Sequence, residues 1–263
     1  MSAPNHDDPD HLFHEGVEAL HRDELPQAAA LFRRALELYK NLYGTERQQA
    51  DCLGNLAVAL LQLGQLTEAE PLYRQALALY KGIDGTELHQ AHCLFNLATT
   101  LYNLGRAGEA KPLYRRALAL YVQVGGTEEY QARCLRSLAD TLYRLGRLRE
   151  AEPLYHRALA LYEQVDGTQK YQAHCLHNLA LALHNLGREG EAKPLFHRAL
   201  GLYEQVDGTE KSLANCLHNL ANTLRQLGRE GEAEPLLRQA LDLFEQVDGT
   251  EKSRALCLYN LAN

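Results

Sequence analysis

The chain lacks the features that would place it in several large functional classes. It has no apolar run of the roughly 20 residues that a membrane-spanning helix needs. Its first ten residues are polar and acidic and contain no apolar core of a secretory signal. The net charge of −7 argues against general nucleic-acid binding, which requires a basic surface. We therefore expect a cytoplasmic protein that binds neither membranes nor nucleic acids.

Catalytic signatures are missing as well. The sequence shows no glycine-rich phosphate loop, no serine or cysteine nucleophile beside an orienting base, and no distinct pair of carboxylates. Its glycines recur at a fixed interval, which is typical of turns. The sequence therefore predicts a protein without enzymatic activity and without a cofactor.

What the sequence does contain is a unit that recurs every 41 residues. The clearest markers are six evenly spaced cysteines: Cys52, Cys93, Cys134, Cys175, Cys216 and Cys257. The same interval separates five prolines, five turn glycines and six Gly-Thr pairs. A period of this length predicts an array of stacked units, in which each unit contacts only its neighbours.

Each unit is predicted to be a pair of helices. In the second unit we expect Thr45 to cap the first helix, with Gln48 completing a capping box, and Gly64 to end that helix. The second helix is expected to begin near Thr67, with Pro71 close to its first turn, where a missing amide costs least. Leucines at helical spacing form the apolar face of the first helix.

We expect residues 1–9 to be disordered and residues 10–263 to form a single solenoid. Six helix pairs are predicted near residues 10–44, 45–85, 86–126, 127–167, 168–208 and 209–249, followed by a seventh first helix at residues 250–263. Leu258 and Leu261 in this last helix have no second helix to cover them. We therefore expect this end to fray or to associate with another copy, giving a homodimer.

A helical wheel identifies the face of the first helix that stays open. Leucines and small residues occupy three of its four sides. The fourth side carries Asp51, Asn55, Val58 and Gln62. Repetition of this sector is expected to form a continuous concave strip, with the second helices on the convex side.

The repeated columns resemble the tetratricopeptide repeat family. The strings Leu53-Gly54-Asn55-Leu56-Ala57 and Glu68-Ala69-Glu70-Pro71-Leu72 are similar to those of the long repeats of kinesin light chains, although the Asp-His-Pro string associated with those proteins is absent. The resemblance implies an all-α fold, a right-handed superhelical α-solenoid of tetratricopeptide helix hairpins. It also implies peptide binding in the concave groove.

The cysteines and histidines have alternative interpretations. The cysteine column is either a metal or redox ladder or a set of small buried residues at helix contacts, and we favour the second interpretation. We expect Cys257, at the end of the array, to be the most accessible. His174 and His177 flank Cys175, but their side chains diverge around the helix, so we expect a polar peptide-contacting surface rather than a metal site.

An asparagine column lies beside the open sector. It is either a residue copied by duplication or a ladder that binds peptide main chain, since an amide offers both a donor and an acceptor. The fourth unit adds Arg133, Arg136 and Arg144, with Asp140 as the opposing acid. These arginines are either solvated or paired with Asp140, or they bind acidic ligands.

These observations predict a scaffold that binds a protein or peptide in its groove, and the arginines of the fourth unit make an acidic ligand one option. The residues predicted to line the groove are Asn55, His92, Asn96, Asn103, Arg133, Arg136, Arg144, His174, His177, Asn178, Asn185, Asn219 and Asn222. The alternatives are a self-assembly module and the sensor arm of a larger signalling protein.

Overall fold

The computed structural model describes residues 8–262, which form 13 α-helices and no β-strand. The first helices of the pairs are α1 (Pro9–His21), α3 (Glu46–Gln62), α5 (Glu87–Asn103), α7 (Glu128–Arg144), α9 (Gln169–Asn185), α11 (Glu210–Gln226) and α13 (Glu251–Ala262). The second helices are α2 (Leu25–Tyr39), α4 (Leu66–Tyr80), α6 (Ala107–Val124), α8 (Leu148–Tyr162), α10 (Glu189–Tyr203) and α12 (Glu230–Glu245). The predicted all-α repeat of helix hairpins is confirmed.

The first residues differ in part from the expectation. Residues 1–7, which we expect to be disordered, lie outside the described residues. Pro9 already begins α1, and the Asp8 carboxylate accepts a hydrogen bond from the Asp10 amide at 3.1 Å. A side-chain cap of this kind satisfies one of the free amides at a helix N-terminus.

The chain divides into two compact units. Unit 1 extends to Thr127 and contains α1–α6, and unit 2 begins at Glu128 and contains α7–α13. Within each unit every helix packs on the next one along the chain, and each first helix also touches the following first helix, which α11 and α13 do through side-chain hydrogen bonds of Asn260 and Arg225. Side chains are therefore buried through neighbours that are near in sequence, as in other repeat proteins.

All six cysteines are buried and free. The expectation that Cys257 is accessible is wrong, because its side chain is 0% exposed. The Cys175 thiol donates to the Tyr155 carbonyl at 3.1 Å, so this column faces the second helix that precedes it. Cys257 is therefore buried by α12 and needs no helix after it.

The turn inside each hairpin is closed by one residue in the left-handed region. Gly64 has φ 75°, and the Gln65 amide donates to the Leu60 carbonyl at 2.8 Å, which closes the end of α3. In the first pair, Asp23 takes this conformation with φ 60°. An aspartate adopts this conformation at a cost that glycine avoids.

The expected capping box is wrong. The Thr45 hydroxyl donates to the Tyr39 carbonyl at 2.7 Å and to the Leu42 carbonyl at 3.0 Å, both in the chain that precedes it. Gln49, rather than Gln48, contacts the Thr45 hydroxyl, at 3.1 Å. The threonine is buried where the second helix leaves its last carbonyls without helical partners, so it closes the previous helix.

Pro71 also lies elsewhere than expected. α4 begins at Leu66, so Pro71 is its sixth residue and lies inside the helix rather than in the first turn. Proline there cannot donate to the carbonyl of Thr67, which loses a helical hydrogen bond.

Candidate functional site

Each first helix keeps one lengthwise face partly open, which we call its strip. In α3 the strip consists of Asp51, Asn55, Val58 and Gln62, and all four are at least partly exposed, whereas the other faces are largely buried. The equivalent strip of α9 consists of His174, Asn178, Leu181 and Asn185, with Lys170 at its edge. The open sector predicted from the wheel is therefore present in the structure.

A tyrosine at the end of the second helix bonds to the strip of its own pair. The pairs are Tyr39 with Asp10, Tyr80 with Asp51, Tyr121 with His92 at 2.8 Å and Tyr203 with His174 at 2.8 Å. In the sixth pair Phe244 replaces the tyrosine, and the Asn215 amide instead donates to the carbonyl of Lys211 in its own helix at 2.8 Å. The phenol thus fixes the strip residue it meets.

The histidines in this set meet the phenols through Nδ1. The phenol of Tyr203 approaches Nδ1 of His174, and burial first, then Arg136 and Lys170, lowers the pKa of His174 to about 4. The ring of His174 is therefore neutral near pH 7. In the tautomer that carries its proton on Nε2, Nδ1 accepts from the phenol and Nε2 remains a hydrogen-bond donor.

A second aromatic column, in the middle of the second helices, meets the strip one turn further on. The pairs are Tyr114 with the Thr99 hydroxyl at 3.0 Å and Tyr155 with Asp140 at 2.7 Å. At the same place in α4, Tyr73 is fully buried, and its hydroxyl has no partner among residues 8–262. The strip residue equivalent to Thr99 is Val58, which offers no acceptor.

The predicted groove asparagines of unit 1 are not used between repeats. The Asn55 amide donates to the carbonyl of Asp51 in its own helix at 2.9 Å. The side chains of Asn96 and Asn103 form no hydrogen bond with any described residue, and Asn103 is exposed. These two amides keep their full capacity to bind a ligand.

The asparagines of unit 2 join successive first helices instead. The amide donors contact the preceding pair as follows: Asn178 with Asp140 at 2.9 Å, Asn185 with Tyr143 at 2.6 Å, Asn219 with His177 at 2.9 Å, and Asn260 with His218 at 2.8 Å. Asn222 contacts His218 at 3.3 Å and Asn260 at 3.0 Å. The asparagine side chains of unit 2 therefore hold successive first helices together. The amide oxygens of Asn178 and Asn219 accept no hydrogen bond from a described residue.

His177 does not lie on the open strip as expected, and His218, its equivalent in α11, does not lie there either. They are only 8% and 6% exposed. The ring of His177 packs edge-on against Phe196, with the centroids 5.8 Å apart. Burial lowers the pKa of His177 to about 4 and lowers that of His218. The position one residue before the asparagine faces the second helix, so these rings are packing residues.

The three arginines of α7 separate into two kinds. Arg136 forms an ion pair with Asp140 at 3.1 Å, and both side chains are mostly covered. Asp140 also accepts from Tyr155 and Asn178, so it gathers three donors. Arg133 and Arg144 lie on the strip, and Arg144 is exposed. The prediction of one arginine cluster is therefore corrected, because Arg136 belongs to the buried network.

The cysteines have the environment of inert residues. Burial raises the pKa of Cys52, Cys93 and Cys175 to about 12. A thiol of this kind is a poor nucleophile at neutral pH. Among the described residues no group of three His, Cys, Asp or Glu side chains could hold a metal ion.

A column of lysines in unit 2 is not among the predicted site residues. Lys170, Lys211 and Lys252 are each the second residue of a first helix, and all three are exposed. The signal that could have found them is their spacing, which is that of the cysteines.

Within residues 8–262, no helix has the length and apolar character needed to cross a membrane.

Comparison with known proteins agrees with the fold. A family model described as tetratricopeptide repeat matches residues 17–82, 90–164 and 171–246, which is most of the chain. A search of curated protein sequences finds no match.

Several solved structures are similar. BtubC (BKLC) from P. vanneervenii has a TM-score of 0.72 and 23% identity, over 86% of this chain and 92% of that one. The repeats of a putative kinesin light chain from Podosopora anserina have a TM-score of 0.64 and 21% identity, over 78% and 98%. YrrB, a TPR protein with an unusual peptide-binding site, has a TM-score of 0.57 and 21% identity, over 87% and 96%. At these identities the similarity shows the fold.

Proposed function

The chain belongs to the tetratricopeptide repeat family, and we propose that it is a non-enzymatic scaffold that binds a peptide segment of a partner protein along its strips. The observation that carries the proposal is that the strip is the open face of first helices that are otherwise largely buried. Tetratricopeptide repeats serve protein interaction, and YrrB, which shares the fold, has a peptide-binding site.

The charges of unit 2 favour an acidic peptide. Each of the helices α9, α11 and α13 carries one more basic than acidic residue. Arg133 and Arg144 add two guanidinium groups to the strip of α7. Guanidinium groups bind carboxylates through paired hydrogen bonds, so a peptide rich in Glu or Asp matches this surface.

The test is a binding titration with fluorescent peptides of equal length, one of Glu and Gln and one of Lys and Gln. We expect the acidic peptide to bind and its affinity to fall as salt is added. The double variant Arg133→Gln, Arg144→Gln should weaken binding about tenfold. Arg136 is left unchanged because its loss would disturb the Asp140 network.

The matched control is Arg198→Gln, which removes an exposed arginine of α10 that pairs with Glu163 outside the strips. It should bind as the unchanged protein does. Equal binding of the acidic and basic peptides, or unchanged affinity in the double variant, would show that the proposal is wrong.

A second candidate function is self-association through α13. Leu256, Leu258 and Tyr259 are 49%, 53% and 66% exposed, whereas Leu217 and His218, the equivalents of Leu258 and Tyr259, are buried. We propose that this apolar face can pair with that of a second copy. Light scattering of the protein and of the Leu256→Gln, Leu258→Gln variant tests this. A monomer in both cases would refute it.

We also propose a reducing compartment such as the cytoplasm. The support is that the six cysteines are free and packed singly rather than in disulfides.

A further inference from the structure

The lysine column of unit 2 has no structural partner. Lys170, Lys211 and Lys252 are exposed and form no ion pair with any described residue. The equivalent positions in α3, α5 and α7 hold Arg47, Leu88 and Glu129, so the column begins at α9. Three lysines at one interval form a row of positive charge along one edge of the strips.

Helix stability does not account for these lysines. A cation near a helix N-terminus opposes the helix dipole, and an acidic residue there would be favourable. Residues three and four positions further on, which could offer an acid on the same face, are Ala173 and His174 in α9 and Ala214 and Asn215 in α11. The column therefore lowers helix stability slightly, which points to a use outside the fold.

The strips of unit 2 hold the lysines at a regular spacing. Hydrogen bonds from Asn219 to His177 and from Asn260 to His218 join α9 to α11 and α11 to α13. Helices in side-chain contact have axes about 8–10 Å apart. The backbone positions of the three lysines therefore recur at intervals of roughly 10 Å.

Polyproline II geometry matches this interval. In that conformation the chain rises about 3.1 Å per residue with three residues per turn, so every third side chain lies on one face at about 9 Å intervals. In a β-strand the third residue points to the opposite face. An α-helix presents one face at every seventh residue, about 10 Å apart, and so remains a competing ligand.

The asparagines distinguish polyproline II from a helix. The amide oxygens of Asn178 and Asn219 are unused by the described residues, and α9, α11 and α13, the helices that carry the lysines, each provide one asparagine at this position, whereas α7 has Ser137. A polyproline II chain leaves its backbone N–H groups free to donate to such oxygens. A helical ligand uses almost all of its backbone groups internally.

We propose that unit 2 binds an acidic segment in the polyproline II conformation, with a carboxylate at every third residue facing Lys170, Lys211 and Lys252 in turn. This inference rests on the proposed function, because it specifies the peptide that the strips receive. It adds a specific alignment of the peptide with the repeats. Each repeat would bind one carboxylate of the peptide through its lysine and one backbone N–H through its asparagine.

The experiment compares three labelled peptides that each contain the same number of Glu residues. The first consists of Glu-Pro-Gln triplets, the second has the same composition but its Glu residues occupy alternate positions in one part of the peptide, and the third is an Ala-rich, helix-forming peptide with Glu at every seventh residue. Fluorescence anisotropy with the full chain gives the affinities. We expect the triplet peptide to bind about tenfold more tightly than either of the others.

Single variants then test the register. Lys170→Gln, Lys211→Gln and Lys252→Gln should each weaken binding of the triplet peptide about threefold and reduce its salt dependence. Lys193→Gln, which removes a lysine from the second helix α10, should leave the affinity unchanged. Circular dichroism verifies that each variant is folded.

The outcomes separate this inference from the proposed function. Equal affinity for the triplet and alternating peptides overturns the register but leaves an acidic-peptide scaffold. Tightest binding of the helical peptide overturns the polyproline II conformation. If Lys193→Gln weakens binding as much as the column variants do, the lysines act only through net charge and the inference is wrong. If no acidic peptide binds, the proposed function also fails.

Discussion

In unit 1 the phenols of Tyr39 and Tyr80 donate to the aspartates of α1 and α3, whereas the phenol of Tyr203 in unit 2 meets His174, as Tyr121 meets His92 in the last pair of unit 1. The same contact thus fixes an acidic strip residue in α1 and α3 and an imidazole in α5 and α9. Counting only Asp, Glu, Lys and Arg, the first helices α1, α3 and α5 each carry more acids than bases, and α9, α11 and α13 carry more bases than acids. The first helices of the repeated pair therefore change from net negative before α7 to net positive after it.

The units also differ in how successive first helices are joined. In unit 2, Asn178, Asn219 and Asn260 donate to side chains of the preceding pair. In unit 1, Asn55 bonds within its own helix, and Asn96 has no partner among the described residues. The asparagine at this position therefore joins neighbouring first helices in unit 2 but not in unit 1, because the residues that it faces differ between the two units.

The largest effect that would test this comparison is expected from Asp140→Ala. Loss of the carboxylate leaves Arg136 as a mostly buried cation and removes the acceptor of Tyr155 and Asn178, so unfolding should become easier by about 3 kcal/mol. Thr99→Ala, at the equivalent position of unit 1, removes only neutral hydrogen bonds, to Tyr114 and to the Phe95 carbonyl, and should cost about 1 kcal/mol. Urea denaturation followed by circular dichroism measures both. Equal losses of unfolding free energy in the two variants would show that the Asp140 network stabilises the fold no more than the Thr99 hydroxyl does.

A pH change should act on unit 2 through His174 and His177, whose pKa values are both lowered to about 4 from 6.5. Because the folded chain favours the neutral rings, the unfolded chain takes up the protons first as the pH falls. The stability is complete above pH 6.5 and is lost progressively towards pH 4, by about 2 kcal/mol at pH 5 through the buried His177. Hydrogen exchange in α9 and α10, compared with α3 and α4, measures this loss.

The matched variant is His177→Phe, because Phe95 occupies the equivalent position in α5 and packs on Tyr114 with ring centroids 5.5 Å apart. It should reduce the pH dependence of α9 and α10. If the dependence is the same in this variant, another group is responsible.

The second aromatic column offers a paired test of smaller size. Tyr155→Phe removes a donor to Asp140 and should cost about 1 kcal/mol, whereas Tyr73→Phe removes a buried hydroxyl without a partner and should be neutral or stabilising by up to about 1 kcal/mol. Thermal denaturation of both variants measures the difference. A loss of stability in Tyr73→Phe would mean that its hydroxyl is satisfied.

The smallest effect concerns the outer surface of the second helices. Arg188 joins two repeats of unit 2 by pairing with Glu152 at 2.8 Å and with Glu191 at 2.7 Å. Arg229, one repeat later, pairs with Glu232 but has Lys193 at the position equivalent to Glu152. Lys193→Glu should therefore stabilise unit 2 by about 0.5 kcal/mol, an effect that added salt reduces. No change in the denaturation midpoint at low salt would contradict this.

Much of the fold could be predicted from particular residues. The cysteine and leucine columns indicate helices that are buried on several sides, and the glycine column indicates their ends, as Gly64 shows. The capping box and Pro71 were placed wrongly because several residues near a helix start can act as its first residue. Local propensity alone does not select the first residue of the helix. At Thr45 the role of the residue is set by its buried hydroxyl, which donates to a carbonyl of the preceding helix.

The candidate site was predicted less completely. The strip of α3 was found from the wheel, but His177 was assigned to it although it faces Phe196 in α10. Arg136 was grouped with Arg133 and Arg144, although it pairs with Asp140. A wheel gives the direction of a side chain only to within a sector, and these residues lie at the border between the strip and the contact with the second helix.

The sequence by itself determined the period, the helix pairs and which faces are buried, because these follow from helical geometry repeated at a fixed interval. Which polar side-chain atoms form hydrogen bonds between helices was visible only in the tertiary structure. Asn219 meets His177 and Tyr155 meets Asp140 through bonds that link residues 42 and 15 positions apart. Such pairs depend on how one helix packs against another, and an asparagine or histidine is equally able to meet water, a ligand or a neighbouring helix.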